Sequence, residues 1–175
     1  MGTNEFYVKT ENEGAMKSFT KIGCVFVLLM PFIGRGESVA ATKVAAEKGD
    51  AAAQCQMGLF YMNGLGVDRD EAAAVEWLKR AAAQNHLQAQ YNLGLYYARF
   101  SDKEAVCLAM KWLNEAAKQN YADAQFNLAK LYLNHHHPAS RERDAGRRAI
   151  SLLRLAATQG HAGAKEMLEE LGVNK

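Results

Sequence analysis

Proline is almost missing from this chain, two residues in 175, so few positions carry the side chain that removes a helix hydrogen bond and clashes with the preceding turn. Cysteine is scarce as well. Cys24, Cys55 and Cys107 are too few and too scattered for a disulfide scaffold or a zinc site. Charge of one sign is lacking: 21 basic and 19 acidic residues leave a formal charge of +2, no electrostatic reason to expect nucleic acid or an anionic membrane as the main partner. Apolar residues at 49 % and charged residues at 23 % are ordinary globular usage, which excludes a disordered chain or a bundle of membrane helices. What is abundant is alanine, 30 residues, the best intrinsic helix former. A single helical domain is the expectation.

One apolar run stands apart, residues 22–33 (IGCVFVLLMPFI), too short for a bilayer that needs about 20 residues. Lys17 and Lys21 precede it, and Ser38-Val39-Ala40 follow with small residues at the two positions a signal peptidase reads. That order predicts a secretory signal peptide over residues 16–40, with cleavage after Ala40. A buried core helix is the competing reading, but Pro31, Gly34 and Gly36 would break it. Residues 1–15 fit a signal poorly, because Glu5, Glu11 and Glu13 outnumber Lys9. They read as a non-native or misassigned extension, with Met16 or Met1 as the start. The expected location is periplasmic or secreted, with residues 41–175 as the working domain and no stable membrane insertion after cleavage.

Within that domain the sequence repeats itself, the signature of stacked supersecondary units. Ala53-Gln54-Cys55-Gln56-Met57-Gly58 recurs as Ala89-Gln90-Tyr91-Asn92-Leu93-Gly94 and as Ala124-Gln125-Phe126-Asn127-Leu128-Ala129, each reaching a tyrosine further on: Tyr61, Tyr97 and Tyr132. A second block keeps step: Trp77-Leu78 through Ala82, Trp112-Leu113 through Ala117, and Leu152-Leu153 through Ala157. Ala53, Met57, Phe60 and Tyr61 form a 3.6-residue stripe, repeated by Ala89, Leu93, Tyr96 and Tyr97. Two helical blocks per unit predict helical hairpins, over about residues 51–85, 87–120 and 122–160, with a final helix over 162–171 and the end of an earlier second helix over 41–48. Gly58 and Gly94 would admit close helix approach, Trp77 and Trp112 would fill the other side, and Asn63-Gly64-Leu65-Gly66 would turn the first hairpin. Asn85, Asn120 and Gly160 sit where second helices would end, in a position suited to left-handed backbone.

On these residues the unit resembles a Sel1-like repeat, a subfamily of the tetratricopeptide-like helical hairpins. Ala53, Gly58, Tyr61, Gly64-Leu65-Gly66-Val67, Asp70, Ala74, Trp77, Arg80-Ala81-Ala82 and Ala89 stand in that family's order. The resemblance implies an all-α, α/α superhelical solenoid of about three hairpins with partial capping helices. The second unit departs by replacing its glycine turn with Arg99-Phe100-Ser101-Asp102. The third lengthens its turn through His135-His136-His137-Pro138 and carries Ala129 and Leu152 for glycine and tryptophan.

Chemistry is sparse. No nucleophile elbow, phosphate loop, dinucleotide fingerprint or metal-protease helix is present, so no catalytic residue, cofactor or metal is expected. Gly64-Leu65-Gly66 lies between helices and reads as a turn. The three adjacent histidines point different ways, with no spaced cysteine or carboxylate to complete a site. His86, Tyr121 and His161 share one repeat position, and packing at helix starts accounts for them better than acid–base work. Cys55 and Cys107 read as two separate buried thiols in preference to a bridge. The basic run Arg141, Arg143, Arg147, Arg148 and Arg154 reads as a solvated helix face, with docking of an acidic partner as the alternative.

The resemblance implies that the first helices line a concave side suited to recognising another protein. They carry two polar columns there, Gln54, Gln90 and Gln125 beside Gln56, Asn92 and Asn127, whose amides would hold an extended peptide by its backbone. The expected function is a non-catalytic, exported module that binds a protein or peptide. The resemblance also implies two rivals: an immunity protein that neutralises a secreted effector such as a phospholipase, and, remotely, a secreted hydrolase of the β-lactamase-linked type.

Overall fold

The structure, a computed structural model, describes residues 39–134 and 142–173. The predicted signal segment as far as residue 38 and the histidine-rich turn lie outside them. The described residues hold eight helices and no strand: α1 (39–47), α2 (Ala51–Asn63), α3 (Glu71–Ala83), α4 (Leu87–Tyr97), α5 (Lys103–Lys118), α6 (Ala122–Asn134), α7 (Glu142–Thr158) and α8 (Ala162–Glu170). Helices pair as α2–α3, α4–α5 and α6–α7, and each hairpin then packs on the next through α3–α4, α5–α6 and α7–α8. This is the all-α hairpin solenoid that the repeat predicts.

Short polar residues start the helices. The Asp50, Asp70 and Asp102 carboxylates accept from the backbone N–H three residues on, at 2.7, 3.0 and 2.9 Å, satisfying donors that a helix start leaves orphaned. His86 and His161 do the same with Nδ1, accepting from Ala89 N–H at 3.3 Å and Ala164 N–H at 3.1 Å. Second helices stop on left-handed residues, Asn85 (φ 61°), Asn120 (φ 60°) and Gly160 (φ 90°). After α3, the Asn85 N–H reaches the Ala82 carbonyl and the His86 N–H reaches that of Ala81, the double closure that a left-handed residue makes possible.

Close approach within a hairpin is set by one contact. Leu78, Leu113 and Leu153 are fully buried, and a Cβ built on Gly58 or Gly94 would lie 2.6 Å from Leu78 Cγ or 2.5 Å from Leu113 Cγ. No carbon fits there. Between hairpins the large side chains point back along the array. Trp77 packs on the cluster of Val39, Ala46, Ala53 and Met57, Trp112 on that of Val75, Leu78 and Leu93, and Leu152 on that of Val106, Ala109 and Met110.

Candidate interaction surface

The two polar columns of the first helices have different fates. Gln54, Gln90 and Gln125 are buried, 6 %, 3 % and 1 % exposed, and their amides are consumed inside the fold. Each Nε2 donates to a last-turn carbonyl of the preceding second helix: Gln54 to Ala46 at 3.0 Å, Gln90 to Ala82 at 3.4 Å and Gln125 to Ala117 at 3.3 Å. Each Oε1 accepts at 2.8 Å from the glutamine closing its own hairpin, Gln84, Gln119 or Gln159. This column is taken up by the fold and not free for a peptide as the sequence suggested, because each buried amide already has a partner at both polar ends. Its burial follows from its place beside the alanine that starts each core stripe.

The second column is nearer the surface. Gln56 is exposed, and Asn92 and Asn127 are half-buried. Asn127 Nδ2 donates to the Asp123 carbonyl at 2.8 Å and lies 3.4 Å from the Tyr91 hydroxyl of the preceding hairpin. Asn92 faces Cys55 in the equivalent place. Its Nδ2 is buried with no hydrogen-bond partner, and the contact with the thiol falls short of a proper hydrogen bond. Burial pushes the Cys55 thiol up to about 11, and the Asn92 amide offsets part of that rise. Of the two cysteines among the described residues, both are free, and Cys55 is buried while Cys107 is not. Cys107 is exposed on α5, because its place in the helix points away from the hairpin.

Around Asn127 the first-helix face gathers aromatic side chains. Tyr91 and Tyr121 meet edge to face with ring centroids 4.9 Å apart, Phe126 lies 4.4 Å from the His161 ring, and the Lys130 ammonium is 5.5 Å from the Phe126 ring. His161 Nε2 reaches Asp123 Oδ1 at 3.3 Å. Both phenols are held above the usual tyrosine range, first by burial and then by the Asp123 carboxylate, so at neutral pH both keep their protons and offer O–H donors. A half-exposed surface of paired rings, amide and carboxylate is what a protein partner's polar backbone and apolar side chains can share.

The patch is readable in the repeat register once two columns are compared. Cys55 gives way to Tyr91 and Phe126, and the capping column Asp50, His86 and His161 is interrupted by Tyr121. Both changes add rings at one end of one face. The repeat positions of the sequence reading, Ala53, Ala89, Ala124, Gly58 and Gly94, are buried, while Tyr61, Tyr97, Tyr132, Trp77 and Trp112 are half-buried and Gly64 and Gly66 form an exposed left-handed turn. Among the described residues no group of three His, Cys, Asp or Glu side chains is placed to hold a metal ion, and no helix is long and apolar enough to cross a membrane.

A model of the Sel1 repeat matches residues 51–86, 87–121 and 122–161. Among solved structures, a Sel1 repeat protein from Oxalobacter formigenes is 28 % identical with a TM-score of 0.63, over 76 % of this chain and 98 % of that one. The protein c5321, a protective antigen of uropathogenic Escherichia coli strains with the same fold, is 27 % identical with a TM-score of 0.68, over 80 % of this chain and 30 % of that one. No curated protein matches significantly. With three matched hairpins spanning most of the chain, stacked as the solved relatives stack theirs, this protein belongs to the Sel1 repeat family.

Proposed function

We propose that the chain is a non-catalytic, exported protein-binding module whose partner is seated on the first-helix face at Tyr91, Tyr121, Phe126 and Asn127. Sel1 repeats generally serve protein–protein interaction. The observation that carries the reading is the cluster of half-exposed rings around the Tyr91–Tyr121 pair. Tyrosine is enriched among residues that dominate binding energy. Among the described residues, both histidines hold helix starts and neither is bonded to a nucleophile, which favours binding over turnover.

Export rests on the apolar run and the small residues at Ser38-Val39-Ala40. Val39 is buried on the first cluster, so cleavage after Ala40 would uncover part of Ala53 and Met57 in the mature protein. The test combines fractionation of producing cells, N-terminal sequencing and in-cell crosslinking from a photoreactive residue at Gln88. A mature chain beginning at Ala41, crosslinked to one exported protein, is expected. Tyr121→Ala should weaken that complex about tenfold or more with helical content unchanged. An unprocessed cytoplasmic chain removes the export reading, and full affinity in the variant removes the proposed surface.

A further inference from the structure

Val75 of α3 and Met110 of α5 hold the same place in their helices and are 8 % and 5 % exposed. Each is covered by the hairpin that follows, through Trp112 and Leu152. The third member of the column, Ile150 of α7, is only half-buried. Above it runs an open groove of about 540 Å³ lined by Ile150, Leu155 and Val173 with Arg147, Ser151 and Arg154, and Leu155 is 48 % exposed. The groove lies where the next hairpin's second helix would rest on α7.

Helix α8 is not built to supply that helix in register. In the hairpins a second-helix leucine presses on Gly58, Gly94 or Ala129, but the matching residue of α8 is Glu169, and the matching residue of the buried glutamines is Lys165. A glutamate bars an approach that leaves no room for a single carbon at Gly58. The groove is also charged. Its Arg147 and Arg154 are exposed with no ion pair among the described residues, and the position matching Arg147 is Ala72 in α3 and Cys107 in α5.

We propose that this groove on α7 is a second docking site, distinct from the first-helix face, and that it takes an acidic amphipathic helix of a partner protein. Its apolar floor accepts the buried stripe of such a helix, and its arginines meet carboxylates along the flank. A second copy of this chain is a poorer occupant. Its helix α1 is of the second-helix type, but its one carboxylate, Glu47, is balanced by Lys43, and Thr42 stands where the others have leucine.

The test is a fluorescence-anisotropy titration of the purified full chain with a labelled synthetic helix as long as α7, leucines on one face and glutamates beside them. Saturable binding is expected, weakened about tenfold by Arg147→Glu with Arg154→Glu, weakened by raised salt and by Leu155→Asp, and unchanged by Gln88→Glu on the first-helix face. All four positions are exposed, so circular dichroism and thermal unfolding should match the parent. Absence of saturable binding, indifference to the arginine reversals, or equal binding of the lysine version of the peptide would overturn the proposal. So would concentration-dependent self-association abolished by Arg154→Glu, or phosphatidylglycerol-vesicle binding lost in that variant while the acidic peptide does not bind.

Discussion

Gln125 is the most deeply buried polar residue of the array, and it does two jobs with one amide. It donates to the Ala117 carbonyl and accepts from Gln159. Replacing it with alanine removes two hydrogen bonds, leaving the Ala117 carbonyl to the Asn120 N–H and the exposed Gln159 without its partner, at a cost of about 1–3 kcal/mol. Gln56→Ala, two residues along the same helix type but exposed, should change stability by no more than about 0.5 kcal/mol. Urea titration of the two variants reads the difference, and equal losses would contradict the assignment of the first column to the fold. The cysteines give a second contrast. The Cys55 thiol, pushed up to about 11 by burial, stays protonated at pH 8 and is shielded, so a maleimide should modify Cys107 promptly and Cys55 only on unfolding. Peptide mass mapping after a short labelling pulse distinguishes the two. At this scale the sequence shows which residues repeat but not which side of the helix surface each faces. The two amide columns lie two residues apart, and only the packing of neighbouring hairpins decides that one is interior.

Among the elements, α4 and α5 make the tightest test of hairpin geometry. A methyl at Gly94 would meet both the Leu113 side chain and, at 3.2 Å, its backbone nitrogen. Alanine is the better helix former by about 1 kcal/mol, yet Gly94→Ala should destabilise by about 1–3 kcal/mol because the buried leucine has nowhere to go. The third hairpin already carries Ala129 against Leu153, both fully buried, so Ala129→Gly should lose the propensity difference of about 1 kcal/mol together with about 0.8 kcal/mol for the buried methyl. Thermal melts of the pair would show whether the third hairpin is set wider than the second. Helix identity, pairing and stop signals were legible because 3.6-residue stripes, the two repeating blocks and asparagine or glycine stops all agree at the same places. The repeat columns place the aromatic residues at one end of one face but not their geometry, since edge-to-face contact between Tyr91 and Tyr121 joins residues of adjacent hairpins, and spacing along a chain carries no information on ring orientation. The thiol at Cys107 was misplaced for a related reason: an apolar residue in a helix is usually buried, and only the direction of its neighbours shows that this one is not.

At the scale of the whole array, the extensive helix contacts among the described residues run between sequence neighbours, so stability is close to a sum of hairpin and interface contributions. The hairpin of α4 and α5 has a neighbour on both sides, and its Leu93, Ala109 and Leu113 are fully buried. Amide exchange followed by mass spectrometry should find α4 and α5 the slowest to exchange, with α1 and α8 the fastest. Uniform protection along the array would contradict a nearest-neighbour account. The glutamine of each first helix has a consequence at this scale as well. Because it answers a carbonyl of the unit before it, while the hairpin's own closing turn leaves a carbonyl for the unit after, residues 87–121 carry a complete plug and a complete socket. Copied in tandem, that segment would splice into the chain without a new unmet polar group, so gene duplication can lengthen this protein one whole hairpin at a time.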